Sequence, residues 1–366
     1  EEGADGDARA GIPPFWPGSV PAMPDSPAPP GAAPSELVPR AFAERIARRP
    51  ADPLLAAAGG EAVSGEAWLA RLPHLVEERL AAWNLTLDPD APGAPWTGHG
   101  ALVLPVRRHT LRPAVLKLTW PHLEARHEHL ALRLWDGAGA VRLHAASPPD
   151  GALLLERLDA DRPLTLEPVL DACVAVGGLL RALDRPATPQ FDAVAVKAER
   201  WDGTLAAPVA AVPRRLQVQA RSHLRRLVDS APEPRLVHED LHDGNVLAPL
   251  PDDGPSGAAP DARRGHVARR GRWLAIDPKP VAGEGAYAVA PIVWNRPEVT
   301  AAAHNARIHV RLRADVVAEA AGLDEERVRA WTFVRLVLNA VDAAHEGPSA
   351  DEWRARMIAL AGHFAS

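Results

Sequence analysis

Arg235-Leu-Val-His-Glu-Asp-Leu-His-Asp-Gly-Asn-Val-Leu247 decides how this chain is read. Asp240 precedes Asn245 by five residues, the D-x-x-x-x-N spacing of a phosphoryl-transfer loop. Downstream, Trp273-Leu-Ala-Ile-Asp277 is a short apolar run ending in a second aspartate. Upstream, Ala114-Val-Leu-Lys-Leu118 sets one lysine inside an apolar strand pattern. Phosphoryl transfer needs these groups in this order. A lysine grips the phosphates, a carboxylate orients the hydroxyl, and an Asn and an Asp hold the metal.

The same residues spell a rival motif. His238-Glu-Asp-Leu-His242 is an H-E-x-x-H, the signature of zinc metallopeptidases. That motif needs a helix, so that both imidazoles share one face. Leu236-Val237 instead ends a strand pattern, and Asp243-Gly244-Asn245 is turn chemistry directly after the second histidine. The context therefore favours a loop over a zinc helix.

The bulk properties narrow the class. A chain of 366 residues, 47% hydrophobic, can bury a sizeable core in two domains or lobes. A formal net charge of -6 and a pI near 6.2 disfavour a general nucleic-acid or anionic-membrane binder and suit a cationic small molecule. Cys173 is the single cysteine and sits in an apolar helical pattern, so it reads as a core residue in a reducing compartment. No stretch is apolar for long enough to span a bilayer, and no basic-then-apolar leader opens the chain, so the expected location is cytoplasmic.

Residues 1–34 are rich in Pro, Gly, Ala and Asp without periodicity and read as a disordered tail or leader. Residues 35–83 carry helical spacing, with Ser64 as a cap. Strands are expected at Ala101–Val106, Ala114–Leu118, Val141–Leu143 and Leu153–Leu155, with one helix over about Glu124–Trp135. From about Leu164 the pattern is mostly helical: Leu166–Leu183, Val209–Val228, Val328–Ala344 and Asp351–Phe364. Residues 249–271 read as a flexible insertion. The expected division is an N-lobe with its preceding helices at 35–158 and a helical C-lobe at 159–366.

Several phrases together are more specific than any one motif. They include Leu102-Val-Leu-Pro-Val, Pro113-Ala-Val-Leu-Lys-Leu, Glu128-His-Leu-Ala-Leu, Leu274-Ala-Ile-Asp-Pro-Lys and Gly283-Glu-Gly-Ala-Tyr followed by Ala290-Pro-Ile-Val-Trp-Asn-Arg. Through them the stretch from Ser35 to Phe364 resembles the aminoglycoside/hydroxyurea phosphotransferases, in particular streptomycin 6-phosphotransferases. The resemblance implies an α+β, two-lobed protein-kinase-like fold, with a small β-rich N-lobe and a larger helical C-lobe. It also implies an ATP- and Mg2+-dependent enzyme acting on a small cationic antibiotic.

The roles follow from the same resemblance. Lys117 matches the lysine that positions the α- and β-phosphates, and Glu128 is its expected helix partner, with Glu124 as the fallback. Gly98-His-Gly100 resembles a degenerate glycine loop; two glycines let backbone approach phosphate. Leu153-Leu-Leu-Glu-Arg-Leu158 matches the hinge, whose backbone near Glu156 and Leu158 would hold adenine. Asp240 would orient the acceptor hydroxyl and take its proton, while Asn245 and Asp277 would ligate magnesium through oxygen. His238 and His242 would brace the loop.

Two departures motivate an alternative, a non-catalytic kinase-like fold that binds nucleotide or a partner. Glu239 stands where the family usually has Gly, one residue from the base, and its charge would disfavour the triphosphate. In an extended loop, however, neighbouring side chains point apart. Ala288 stands where the family usually has a loop-supporting Asp.

Overall fold

The computed structural model describes residues 37–91, 94–251 and 270–365. The expected tail, and the 252–269 part of the expected insertion, lie outside them.

Three helices come first: α1 (Arg40–Ala47), α2 (Pro53–Ala57) and α3 (Gly65–Ala82). Ser64 caps α3 as its sequence position predicts, its hydroxyl accepting from the Ala67 amide at 3.2 Å. There follow β1 (Leu85–Leu87), β2 (Trp96–Thr97), β3 (Ala101–Arg108), β4 (Pro113–Thr119), α4 (Glu128–Trp135), β5 (Leu143–Ser147) and β6 (Ala152–Glu156). The strands form an antiparallel sheet in the order β1-β3-β4-β6-β5, with β2 also paired to β3.

Alternation along this sheet positions the site. Ala114, Leu116 and Leu118 join Phe42, Ile46, Trp68 and Leu72 in one buried cluster. Val115, Leu153 and Leu155 face the other way and pack with Leu132 and Trp135 of α4 and with the C-lobe core. Lys117 has the parity of Val115, so β4 sends its ammonium toward the cleft.

The larger lobe contains β7 (Leu158–Pro163), α5 (Val169–Leu183), β8 (Arg185–Pro186), α6 (Val194–Ala206), α7 (Arg214–Asp229) and β9 (Arg235–His238). It continues with β10 (Val246–Pro249), β11 (Leu274–Ala275), β12 (Pro280–Gly283), α8 (Ala290–Trp294), α9 (Pro297–Ala302), α10 (Ala306–Ala321), α11 (Glu325–Glu346) and α12 (Asp351–Phe364). Two small sheets, β11-β10-β7 and β12-β9-β8, clamp the two ends of the 239–245 loop. Helix α11 runs through the core with Trp331, Phe333, Val337 and Val341 buried. Among the described residues no helix is long and apolar enough to cross a membrane.

One expected helix is shorter than its pattern. Leu123–Ala125 is a separate 3-10 turn and α4 begins only at Glu128, so Glu124, the fallback partner for Lys117, lies outside that helix. Helices α6 and α10 escape the pattern reading, since α6 mixes polar and apolar residues and α10 is rich in Arg and Ala.

Candidate active site

The 235–247 stretch is strand, loop, 3-10 turn and strand, with no helix to place His238 and His242 on one face. Each histidine is used locally. His238 Nδ1 accepts from the Asp240 amide at 3.2 Å, and its Nε2 lies 3.2 Å from the Ile276 carbonyl. Burial lowers its pKa to about 4 against the opposing charge of Asp240, which leaves a neutral ring with the proton on Nε2. His242 Nδ1 accepts from the Gly244 amide at 3.0 Å. Among the described residues no group of three or more His, Cys, Asp or Glu could hold a metal ion. The zinc-peptidase alternative loses its structural basis.

Asp240 is 4% exposed. Its Oδ2 lies 3.0 Å from Lys279 Nζ, and Asn245 Nδ2 donates to its main-chain carbonyl at 2.9 Å. Its Oδ1 is buried without a hydrogen-bond partner, and His242 Nε2, 3.8 Å away, is likewise unsatisfied. An orphaned carboxylate oxygen in the interior is costly, and at a cleft it marks where a donor from outside belongs. Burial alone would lower the Lys279 pKa, but Asp240, Glu124 and Asp277 outweigh it and raise it.

Across the cleft, Lys117 Nζ donates to both Glu128 carboxylate oxygens, at 2.7 and 2.8 Å, and to Asp277 Oδ1 at 2.5 Å. Burial opposes the Lys117 charge, yet the two carboxylates raise its pKa and keep it an ammonium. Burial pushes the Glu128 carboxyl up to about 7, with Lys117 opposing and the like charge of Asp277 adding. Asp277 is also buried at its base, but Lys117 and Lys279 hold its pKa well below the usual carboxylate range. Its backbone is left-handed, at φ 52°, which turns the carboxylate out of the strand direction. Asn245 and Asp277 sit at the facing ends of β10 and β11, where the Ile276 amide donates to the Asn245 carbonyl at 2.9 Å. The Asn amide is spent on Asp240, so its oxygen, with the half-exposed Asp277 carboxylate, is a hard-oxygen donor set that fits magnesium.

Residues 98–100 form the β2–β3 turn. The Gly98 amide donates to Ala101 and the Gly100 carbonyl accepts from Trp120. At the lobe junction the Glu156 amide donates to the Arg142 carbonyl, and its side chain pairs with Arg270. Leu158 already lies in β7, opposite Pro249.

Residues 83–347 match the family profile of the aminoglycoside/hydroxyurea antibiotic resistance kinases. The streptomycin 6-kinase of Streptomyces glaucescens is 37% identical, over 82% of this chain and 92% of its own. The chain belongs to this kinase family. The hydroxyurea phosphotransferase of Kitasatospora aureofaciens is 38% identical, over 80% of this chain and 77% of its own. The fold matches choline kinase LicA of Streptococcus pneumoniae, which in its AMP complex superposes with a TM-score of 0.51 at 11% identity, over 80% of this chain and 98% of that one. The chain is thus a two-lobed, protein-kinase-like phosphotransferase of the antibiotic resistance type.

Against the family pattern, the two departures take on a different meaning. Glu239 is buried. Its carboxylate accepts from Lys197 at 2.8 and 2.9 Å and from the Tyr287 hydroxyl at 2.7 Å. Arg335 donates to the main-chain carbonyls of both Glu239 (2.9 Å) and Tyr287 (3.0 Å). Burial would raise the Glu239 pKa, but Lys197 and Arg335 lower it, so the carboxylate is charged and matched. Its φ is not positive, so the loop has no local need for Gly. Its charge is thus balanced within the loop by Lys197 and Arg335. Ala288 is fully buried in the turn next to Tyr287.

Arg296, quoted above only as part of a family phrase, pairs with Asp243 and donates to the Glu167 and Leu164 carbonyls at 2.8 and 3.0 Å. Arg296, Lys279, Lys197, Tyr287 and Arg335 thus hold the loop without appearing in its spacing. Lys279 had one available signal, its place two residues after Asp277.

Proposed function

We propose that this chain is an ATP-dependent O-phosphotransferase whose acceptor is a hydroxyl of a streptomycin-type aminoglycoside, acting in the cytoplasm. One observation carries the reading: the unsatisfied Asp240 Oδ1 stands in a loop that also presents Asn245, facing the Lys117–Glu128–Asp277 cluster. In this reading Asp240 accepts a hydrogen bond from the acceptor hydroxyl and takes its proton as the oxygen bonds to the γ-phosphorus and ADP leaves. Lys279 steadies the Asp240 carboxylate at 3.0 Å. Lys117, held by Glu128, positions the phosphates. Asn245 and Asp277 would hold magnesium, which when bound neutralises the transferring phosphates. Backbone at 156–158 would receive adenine and marks the boundary between lobes 35–158 and 159–366; Gly98 and Gly100 would cover the triphosphate. Positioning and electrostatics supply most of such catalysis.

The names of the relatives support the acceptor class, one a streptomycin 6-kinase and another a hydroxyurea phosphotransferase. Asp342 and Glu346, one turn apart on α11, favour the cationic member of that pair. Burial raises both to about 7, and Glu346 Oε1 is unsatisfied. The non-catalytic alternative loses its main motive once Glu239 is matched. The deciding experiment is a panel of streptomycin, other aminoglycosides and hydroxyurea with γ-labelled ATP and Mg2+. Label on streptomycin is expected, and EDTA should abolish it. ATP binding with no label on any acceptor would restore the non-catalytic reading.

A further inference from the structure

We propose that Arg49, supplied from outside the family-matched region by the N-terminal helices, is a triphosphate-binding residue that meets the terminal phosphates beneath the glycine loop. This rests on the kinase reading above.

The backbone of Arg49 is fixed. Its amide donates to Ile46 at 2.9 Å and its carbonyl accepts from Gly65 at 2.9 Å. A Cβ on Gly65 would come within 1.8 Å of the Ile46 carbonyl, so α1 and α3 are pressed together beside this residue. The guanidinium is fixed too. It stacks 5.1 Å over Trp120, whose indole N–H is tied to the Val63 carbonyl at 3.0 Å and whose other neighbour is His122 in a 5.7 Å stack.

That guanidinium points at the turn expected to cover phosphate. A Cβ on Gly100 would meet Arg49 Nη1 at 3.3 Å and His122 at 3.7 Å. Arg45, in the last turn of α1 just before Arg49, donates to the Gly98 carbonyl at 3.0 Å. Yet among the described residues Arg49 makes no ion pair and no side-chain hydrogen bond. Arg49, Lys279, Arg45 and His122 all act on His99 here, and Glu124 is a carboxylate that acts on Arg49. Burial first, and then Arg45, brings the Arg49 pKa down to about 10, which still leaves it fully charged at neutral pH.

Charge balance shows what the cluster is for. Lys117 already faces two carboxylates and Lys279 faces Asp240 and Glu124, so the reaction-centre lysines are largely neutralised. A triphosphate needs additional positive charge, and planar guanidinium is well suited to phosphate oxygens. Arg45 is committed to the loop carbonyl. Arg49 has its donors available and its plane held.

The alternative is that Arg49 is only a strut on Trp120. Equilibrium binding of ATP and AMP with Mg2+ separates the two in wild type, Arg49→Gln, Arg49→Ala, Arg49→Lys and the exposed neighbour Arg48→Ala. ATP affinity should fall about tenfold in the Gln and Ala variants, the value of one charge-assisted contact. AMP affinity should stay within about twofold, Lys should restore part of the loss, and Arg48→Ala should match wild type. The Gln variant should keep the wild-type Tm. Equal weakening of ATP and AMP, or unchanged ATP affinity, would overturn the assignment. A wild-type chain that binds no ATP would instead overturn the kinase reading.

Discussion

The two loops that face each other across the cleft are built on opposite principles. In the catalytic loop the carboxylates each have a close counter-charge: Glu239 with Lys197, Asp240 with Lys279, Asp243 with Arg296. Around the glycine loop Arg45, Arg49, His99 and His122 gather, and among the described residues Arg49 has no ion pair. Charge that is matched in the folded state fixes geometry, whereas unmatched charge stores binding potential for an absent ion. In the proposed mechanism the acceptor side is thus pre-organised, and the phosphate side is completed by its ligand.

The largest test of that contrast is Asp240→Asn. In the proposed mechanism the carboxylate acts on the acceptor, while nucleotide binding rests on Lys117, the metal ligands and the glycine-loop cations. Phosphotransfer should fall at least about a thousandfold, with ATP affinity within a few-fold of wild type. Wild-type turnover in this variant would refute the mechanism, and loss of ATP binding would show that the two sides are not separable.

A smaller effect is expected from Glu239→Gly, and its direction is informative. Read from sequence alone, restoring Gly should raise activity. The structure reverses this, because Gly would strand Lys197 and the Tyr287 hydroxyl around an empty site and remove the carboxylate that balances Arg335. Removing one partner of a buried pair costs about 3–5 kcal/mol, and the partial exposure of Lys197 places this one toward the lower end. A lower Tm and a kcat/KM reduced by about tenfold are expected, with Glu239→Gln milder. Higher kcat/KM at unchanged Tm would show that the cluster is dispensable and that Glu239 does obstruct the site.

The sequence carries those parts of the site whose spacing is local or whose strand phase is simple. Asp240 and Asn245 lie in one loop, and Lys117 acquires its direction from alternation along β4. Glu128 pairs with it because α4 packs on that same sheet face. The orientation of Glu239 could not be read this way. It is set by Lys197, Tyr287 and Arg335, which lie 42, 48 and 96 residues away. Arg49 was invisible for the same reason, since it reaches Gly100 only after α1 packs on α3. In the fold, strands of two to four residues such as β8, β9, β11 and β12 are too short to leave a period.

The smallest effect should come from His99, at the tip of the glycine loop. Its ring is exposed by area, yet loss of hydration and then Arg49, Lys279, Arg45 and His122 lower its pKa from 6.5. A lowered folded-state pKa means that the unfolded chain binds the proton better below 6.5. His99 therefore weakens the unliganded fold as pH falls through that value, and leaves it unaffected above. Triphosphate bound as proposed would reverse the local field and raise the His99 pKa again, so ATP should bind with proton uptake. The ATP-induced rise in Tm should then be greater at pH 6 than at pH 8, by about 1–2 °C. The terminal phosphate of ATP titrates in the same range. The comparison is therefore with His99→Asn, which retains that contribution and should lose the excess. Identical pH dependence in both proteins would mean that the triphosphate does not approach the cations of this loop, and would erase the proposed difference between the two sides of the cleft.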